Sequence, residues 1–189
     1  MFYSYEFIFV FLPVVIWVYF MFDRNYKIGN AWLLLASLLF YVWQDFRALP
    51  VLIASIFVNY LFGILLAGKF QRNKFVLTLG LIFNIGLLCF YKYAGFLADN
   101  INFLTGLNIP VLKTILPAGI SFFTITQIVY LVDAYQGITS EKNILDYTLF
   151  VGFFPHILSG PIYQHKNISK QLKDPNAHKV NWENIAKGV

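Results

Sequence analysis

The chain has 189 residues, 59% of them hydrophobic, 20% aromatic and only 12% charged, against roughly 25% charged in soluble domains. That balance excludes an ordinary soluble fold and predicts an all-α, polytopic membrane protein. The net charge of +5 does not mark a nucleic-acid surface, because the basic residues fall between apolar spans, at their ends or in the tail, where such charges orient membrane proteins.

A spanning helix needs about 20 mainly apolar residues. The candidates are Phe7 to Phe22, Ile28 to Trp43, Val51 to Gly68, Phe75 to Tyr91, Val111 to Val132 and Ile144 to Tyr163, which gives five or six membrane segments. The first is nearly free of polar atoms and ends in aromatics before Asp23, Arg24 and Asn25. No basic residue precedes it and no small-residue cleavage site follows, so it reads as a retained helix rather than a signal peptide. The second is short, about 20 Å from Ala31 to Trp43 at roughly 1.5 Å per residue. Gln44 to Arg47 and Pro50 then make a polar turn, and the second and third segments are expected to form a helical hairpin.

Asn59 and Asn84 are the lone amides of the third and fourth spans. An amide in hydrocarbon seeks a partner across helices, so both read as interhelical bonds, with substrate lining as the alternative. Lys92 sits among aromatics where the fourth span ends, as a lysine snorkelling to the headgroups does, with anion binding as the alternative. Gly95 to Pro110 is too polar to span and reads as an interfacial helix and loop. Cys89, the single cysteine, lies in an apolar span and cannot make an intrachain disulfide.

Lys69, Arg72 and Lys74 crowd one short connection without an acid, which places that loop in the cytoplasm. Two crossings back, the Asp23 to Lys27 loop is cytoplasmic and the N-terminus lies outside. The tail carries Lys166, Lys170, Lys173, Lys179 and Lys187 against Asp174 and Glu183, a composition that suits a surface of anionic lipid. Its charge conflicts with two further full crossings, so Ile144 to Tyr163 is expected to be re-entrant.

In the fifth span Ala118, Phe122, Ile125, Val129 and Val132 form one apolar face, while Thr124, Gln127, Tyr130 and Asp133 step along another. A membrane helix polar on one side faces a bundle interior or a wet cavity. Asp133, at the span's end, also fits an interfacial cap or ion pair. Glu141 and Asp146 suit a loop and a helix first turn. The next segment is broken by Phe154, Pro155 and His156 and then by Gly160 and Pro161, and irregular backbone at membrane depth requires protein cover or a water-filled cavity.

His156 is a natural general-base candidate by type. It has neither a nucleophile motif nor a neighbouring carboxylate to orient it, so it is read as structural or path-lining. His156, His165 and His178 match no closed zinc spacing. With no phosphate loop or dinucleotide fingerprint either, no catalytic residue, metal or cofactor is assigned. The candidate residues for lining such a cavity, the tunnel of the resemblance drawn below, are Thr124, Gln127, Tyr130, Phe154, Pro155, His156, Gly160 and Pro161.

Several stretches resemble the membrane-bound O-acyltransferases, in the branch of alginate O-acetylases and teichoic-acid D-alanyltransferases. They are LLLASLLFYVW from Leu33, NYLFG from Asn59, FYKYAGF from Phe90, LPAGISFFTITQIVYLVDAYQG from Leu116 and FFPHILSGPI from Phe153. The resemblance implies transfer of an acyl group from a carrier or thioester to hydroxyls of an extracytoplasmic polymer, in the inner membrane and through a tunnel. It also implies a longer protein: the family's essential histidine lies in a later motif that this sequence does not contain, so its role does not pass to His156. Residues 1–189 are therefore expected to be the N-terminal part of one membrane domain, with a remaining C-terminal part and membrane lipid as partners. A transporter or flippase subunit is the alternative, since it too needs a polar path.

Overall fold

A computed structural model describes residues 5–21, 26–68, 71–106, 116–139, 141, 143–157, 168–169 and 171–172. All regular structure among them is helical, as expected of a chain so apolar and so poor in charged residues. A π-helical turn, Phe7–Phe11, leads into α1 (Leu12–Met21). It is followed by α2 (Tyr26–Asp45) and α3 (Leu49–Ala67). Asp45 leaves the helix at φ −161, ψ 94 and its carboxylate accepts from Arg47 N at 3.1 Å, so the chain corners where the polar turn was expected. Beyond that corner the two helices part: α3 packs mainly on α4 and α6, and α2 on α1 and α7. The two helices leave the corner as the expected hairpin, and each packs mainly on other partners.

α4 (Lys74–Leu88) starts at Asn73, whose side chain accepts from Phe75 N at 2.9 Å, an N-cap that satisfies otherwise orphan amides. It continues through a π-helical turn, Cys89–Tyr93, into α5 (Ala94–Thr105). Lys74–Thr105 is therefore one helix of 32 residues, about 48 Å long at about 1.5 Å per residue, and the separate interfacial helix expected from Gly95 does not form. Nothing breaks the helix before Gly106, which ends it at φ 69. Asn100 and Thr105 meanwhile satisfy themselves on the carbonyls of Phe96 and Ile101, at 2.6 Å each.

α6 (Ile120–Gln136) starts nine residues later than the apolar run at Val111 suggested. Pro117 and Gly119, the latter at φ 71, form the turn before it, and Tyr41 Oη donates to Ala118 O at 2.9 Å. Gly137, at φ 76, closes the helix: Ile138 N donates to Asp133 O at 2.9 Å and Gly137 N to Ala134 O at 3.1 Å, the paired bonds of a left-handed cap. α7 (Ile144–Gly152), capped by Asn143, is followed by the single turn α8 (Phe154–Ile157).

Side-chain pairs give the helix directions. Asn59 meets Asn84 and Ser55 meets Gln127, while Lys92 Nζ donates to Ser121 Oγ at 3.2 Å, so α4 runs antiparallel to both α3 and α6. Gln71 approaches Gly137, which puts the connection before α4 and the end of α6 at one end of the bundle. α7 starts from that end. It stops where Phe154 N donates to Ser37 Oγ at 3.2 Å, halfway along α2. Ser169 Oγ donates to Glu141 Oε2 at 3.2 Å, and Leu172 O accepts from Asn30 in the first turns of α2, also at 3.2 Å. Ser169 and Leu172 thus lie at the end of the bundle from which α7 starts, while residues 158–167, which include the rest of the segment expected to be re-entrant, lie outside the described residues.

One core cluster joins Tyr41, Leu52, Leu66, Phe123, Tyr130, Leu131, Tyr147 and Phe150 across α2, α3, α6 and α7. A second, aromatic cluster joins Phe7, Phe40 and Phe154 to Phe11.

Candidate functional site

α6 separates its two faces as its spacing predicts, with the polar one inward. Thr124, Gln127 and Tyr130 are each 0% exposed, whereas Phe122 and Ile125 are 37% and 38% exposed. A soluble helix would be arranged the other way. In hydrocarbon the apolar face needs no cover, and the polar one needs partners.

Those partners come from α3 and α4. Gln127 Oε1 accepts from Ser55 Oγ at 2.7 Å and from Asn59 Nδ2 at 3.0 Å. Asn59 and Asn84 are bonded reciprocally, Asn84 Nδ2 to Asn59 Oδ1 at 2.6 Å and Asn59 Nδ2 to Asn84 Oδ1 at 3.2 Å. Asn84 Nδ2 also reaches Gly80 O at 2.8 Å. The two lone amides are thus interhelical bonds, as expected, and they converge on the α6 stripe. Ser55 belongs to the same cluster although its sequence context did not single it out. Its position one turn before Asn59 was the available signal.

The cluster is not closed. Among the described residues Gln127 Nε2, Thr124 Oγ1 and Tyr147 Oη are buried without a hydrogen-bond partner, and leaving such a group unmet costs about 1–3 kcal/mol. Tyr147 packs on Tyr130 and Tyr60, with ring centroids 4.6 and 5.6 Å apart. A methyl group at Gly63 would overlap the Tyr130 ring, so the absent side chain there lets α3 and α6 approach. Asp133 is buried, and its Oδ2 has no hydrogen-bond partner among the described residues. Glu141 and Asp146 do serve the start of α7, Glu141 Oε1 accepting from Asn143 N at 3.1 Å and Asp146 Oδ2 from Asn143 Nδ2 at 3.2 Å.

The break is covered by protein. Phe153, at φ −59, ψ 116, ends α7, and the amide of Phe154 is met by Ser37 Oγ, whose own proton goes to Leu33 O at 2.7 Å. Phe154 is buried against Phe7, Phe11 and Phe40, with centroids 5.5 to 6.1 Å away, which makes it an anchor for α8. Pro155 is exposed. His156 is buried, and its Nε2 lies 3.0 Å from Phe150 O, a carbonyl left over where α7 stops. That contact requires a proton on Nε2, and the ring lies against Phe153 at 5.5 Å. The structure therefore brings Thr124, Gln127 and Tyr130 together on one wall and sets Phe154 and His156 in the packing of the break. Gly160 and Pro161 lie outside the described residues.

A buried polar seam among helices whose outer faces are apolar defines an all-helical membrane protein. Its relatives specify the kind. The chain is 38% identical to a peptidoglycan O-acetyltransferase of Helicobacter pylori over 97% of its length, covering 40% of that protein. It is 34% identical to proteins named "Probable alginate O-acetylase AlgI" from Pseudomonas syringae pv. tomato and Pseudomonas aeruginosa, over 89% and 88% of its length and 34% and 33% of theirs. The kinship to membrane-bound O-acyltransferases read from the motifs is thereby borne out. The chain spans about two fifths of the length of the first relative and about a third of the others. No protein-family model matches the chain, and no solved structure matches it significantly.

Proposed function

We propose that residues 1–189 form the N-terminal part of a multi-pass O-acetyltransferase of the inner membrane, which transfers an acetyl group to hydroxyls of an extracytoplasmic polymer. The observation that carries this is the alignment of nearly the whole chain with a protein named as an O-acetyltransferase of peptidoglycan. The inward stripe of α6 supports it, because acyl donor and polymer meet only if a polar route crosses the bilayer. Thr124 Oγ1 and Gln127 Nε2, with hydrogen-bonding capacity still unmet among the described residues, are the groups that would line that route. His156 is given no catalytic role, since its Nε2 faces the Phe150 carbonyl. The base that deprotonates the acceptor is assigned to a residue of the remaining part of the protein.

The test is O-acetyl content of the polymer, read by mass spectrometry in cells that carry the full-length protein. Thr124→Val keeps the shape and removes the hydroxyl, and it should lower acetylation about tenfold or more at equal membrane levels. Unchanged acetylation would remove Thr124 from the route, and polymer that carries no acetyl ester in the unmodified strain would overturn acyl transfer itself. Purified residues 1–189, given an acetyl donor and polymer, should transfer nothing.

A further inference from the structure

A cavity of about 410 Å³ lies between the first helix and α2, lined by Glu6, Val10, Val14, Trp32, Leu39 and Trp43 among others. It is separate from the polar seam, and every lining residue except Glu6 is apolar or aromatic. Trp32 Nε1 donates to Val15 O at 3.0 Å and closes one end. The order of contacts, Val15 at Trp32 and Phe11 at Trp43, sets the two helices antiparallel, so Glu6 lies at the Trp43 end.

That end carries the marks of a membrane surface. Tyr5, Trp43 and Phe46 are exposed there by 81%, 56% and 68%, the aromatic belt expected at headgroup level. From Trp43 to Trp32 the groove runs about 16 Å at about 1.5 Å per residue, the depth of one leaflet of a core about 30 Å thick. An acyl chain entering at the belt would reach the closed end near the bilayer midplane. Glu6 then stands beside the headgroup with its carboxylate, and no lysine or arginine lines the groove. We propose that this groove seats one phospholipid with an ammonium headgroup, its acyl chain along α2 and its ammonium at Glu6, in the leaflet opposite the connection that precedes α4.

The full-length protein is reconstituted with phosphatidylethanolamine bearing a photoactivatable diazirine in one acyl chain, and cross-linked residues are mapped by mass spectrometry. Val10, Val14 and Leu39 should be labelled at least fivefold more than Ile82 and Ile85, which are exposed on α4 and do not line the groove. Leu39→Trp fills the groove from an exposed position, 53% accessible, and should abolish the excess without lowering the melting temperature. Labelling no greater than on α4 overturns the site, and it is the result expected if a helix of the same or another protein occupies the groove. In competition, unlabelled phosphatidylethanolamine should displace the probe better than phosphatidylglycerol, and Glu6→Gln should erase the difference. Equal displacement in the unmodified protein overturns the ammonium assignment.

Discussion

Asn59 is the residue on which the polar seam turns, because its side chain touches Ser55 O, Asn84 and Gln127 at once, all within 3.2 Å. Replacing it with Leu would leave Asn84 Oδ1 without its Asn59 donor and Asn84 Nδ2 with Gly80 O alone, and would remove one of the two bonds that Gln127 Oε1 receives. Interhelical bonds in membranes are modest, about 0.6 to 1.7 kcal/mol, so Asn59→Leu should destabilise the full-length protein by roughly 1–3 kcal/mol through the buried groups it leaves unmet. Once Asn59 is Leu, Asn84→Leu should cost much less than it does alone. A melting series in detergent tests both, and additive losses would contradict the coupling. Glycine gives a cleaner contrast. A methyl at Gly63 would overlap Tyr130, whose ring packs on Tyr147 at 4.6 Å, whereas a methyl at Gly86 meets nothing within 4 Å. Gly63→Ala should therefore lose about 1–3 kcal/mol by overpacking, while Gly86→Ala should be neutral or gain up to about 1 kcal/mol of helix propensity.

At the scale of elements, α6 was legible because a period of three to four residues sorts its side chains onto two faces, and in a membrane the polar face can only turn inward. The break before α8 was legible too, because proline at membrane depth leaves backbone groups that something must meet. What meets them could not be read from the sequence. Ser37 is an ordinary hydroxyl in a leucine-rich run, and its partner, the amide of Phe154, lies 117 residues away. The length of α5 was missed because asparagine and threonine look like loop residues, yet here they satisfy themselves on carbonyls one turn back. Ser37→Ala removes the acceptor of a buried amide and should cost about 1–3 kcal/mol, with acetylation falling alongside stability. His156→Gln retains an N–H that can reach Phe150 O, and should lose less than about tenfold in acetyl transfer, roughly 1.4 kcal/mol of barrier. His156→Leu should lose more. If His156 were the general base, the Gln variant would instead lose about 10² to 10⁴ in rate.

At the scale of the whole molecule, the arrangement of the described residues bears on a conflict that charge alone left open. The basic loop before α4 and the basic tail cannot both be cytoplasmic if α6 and the next segment each cross the membrane. Because Gln71 lies at Gly137, and Ser169 and Leu172 meet Glu141 and Asn30, Gln71, the end of α6, Ser169 and Leu172 all sit at one end of the bundle. The α2–α3 corner at Arg47 sits at the other. The loop's three basic residues predict, by the charge bias of membrane insertion, that the shared end is cytoplasmic. With Cys89 replaced by Ala, single cysteines at Gln71, Gln136, Gln171 and Arg47, all exposed, can be probed in spheroplasts with a membrane-impermeant maleimide. Arg47→Cys should label at once, and Gln71→Cys, Gln136→Cys and Gln171→Cys only after the membrane is opened. Labelling of Gln71→Cys in closed spheroplasts would reverse the orientation. Labelling of Gln171→Cys there while Gln71→Cys stays protected would mean that the segment after α6 crosses, contrary to the re-entrant path that places the break halfway along α2.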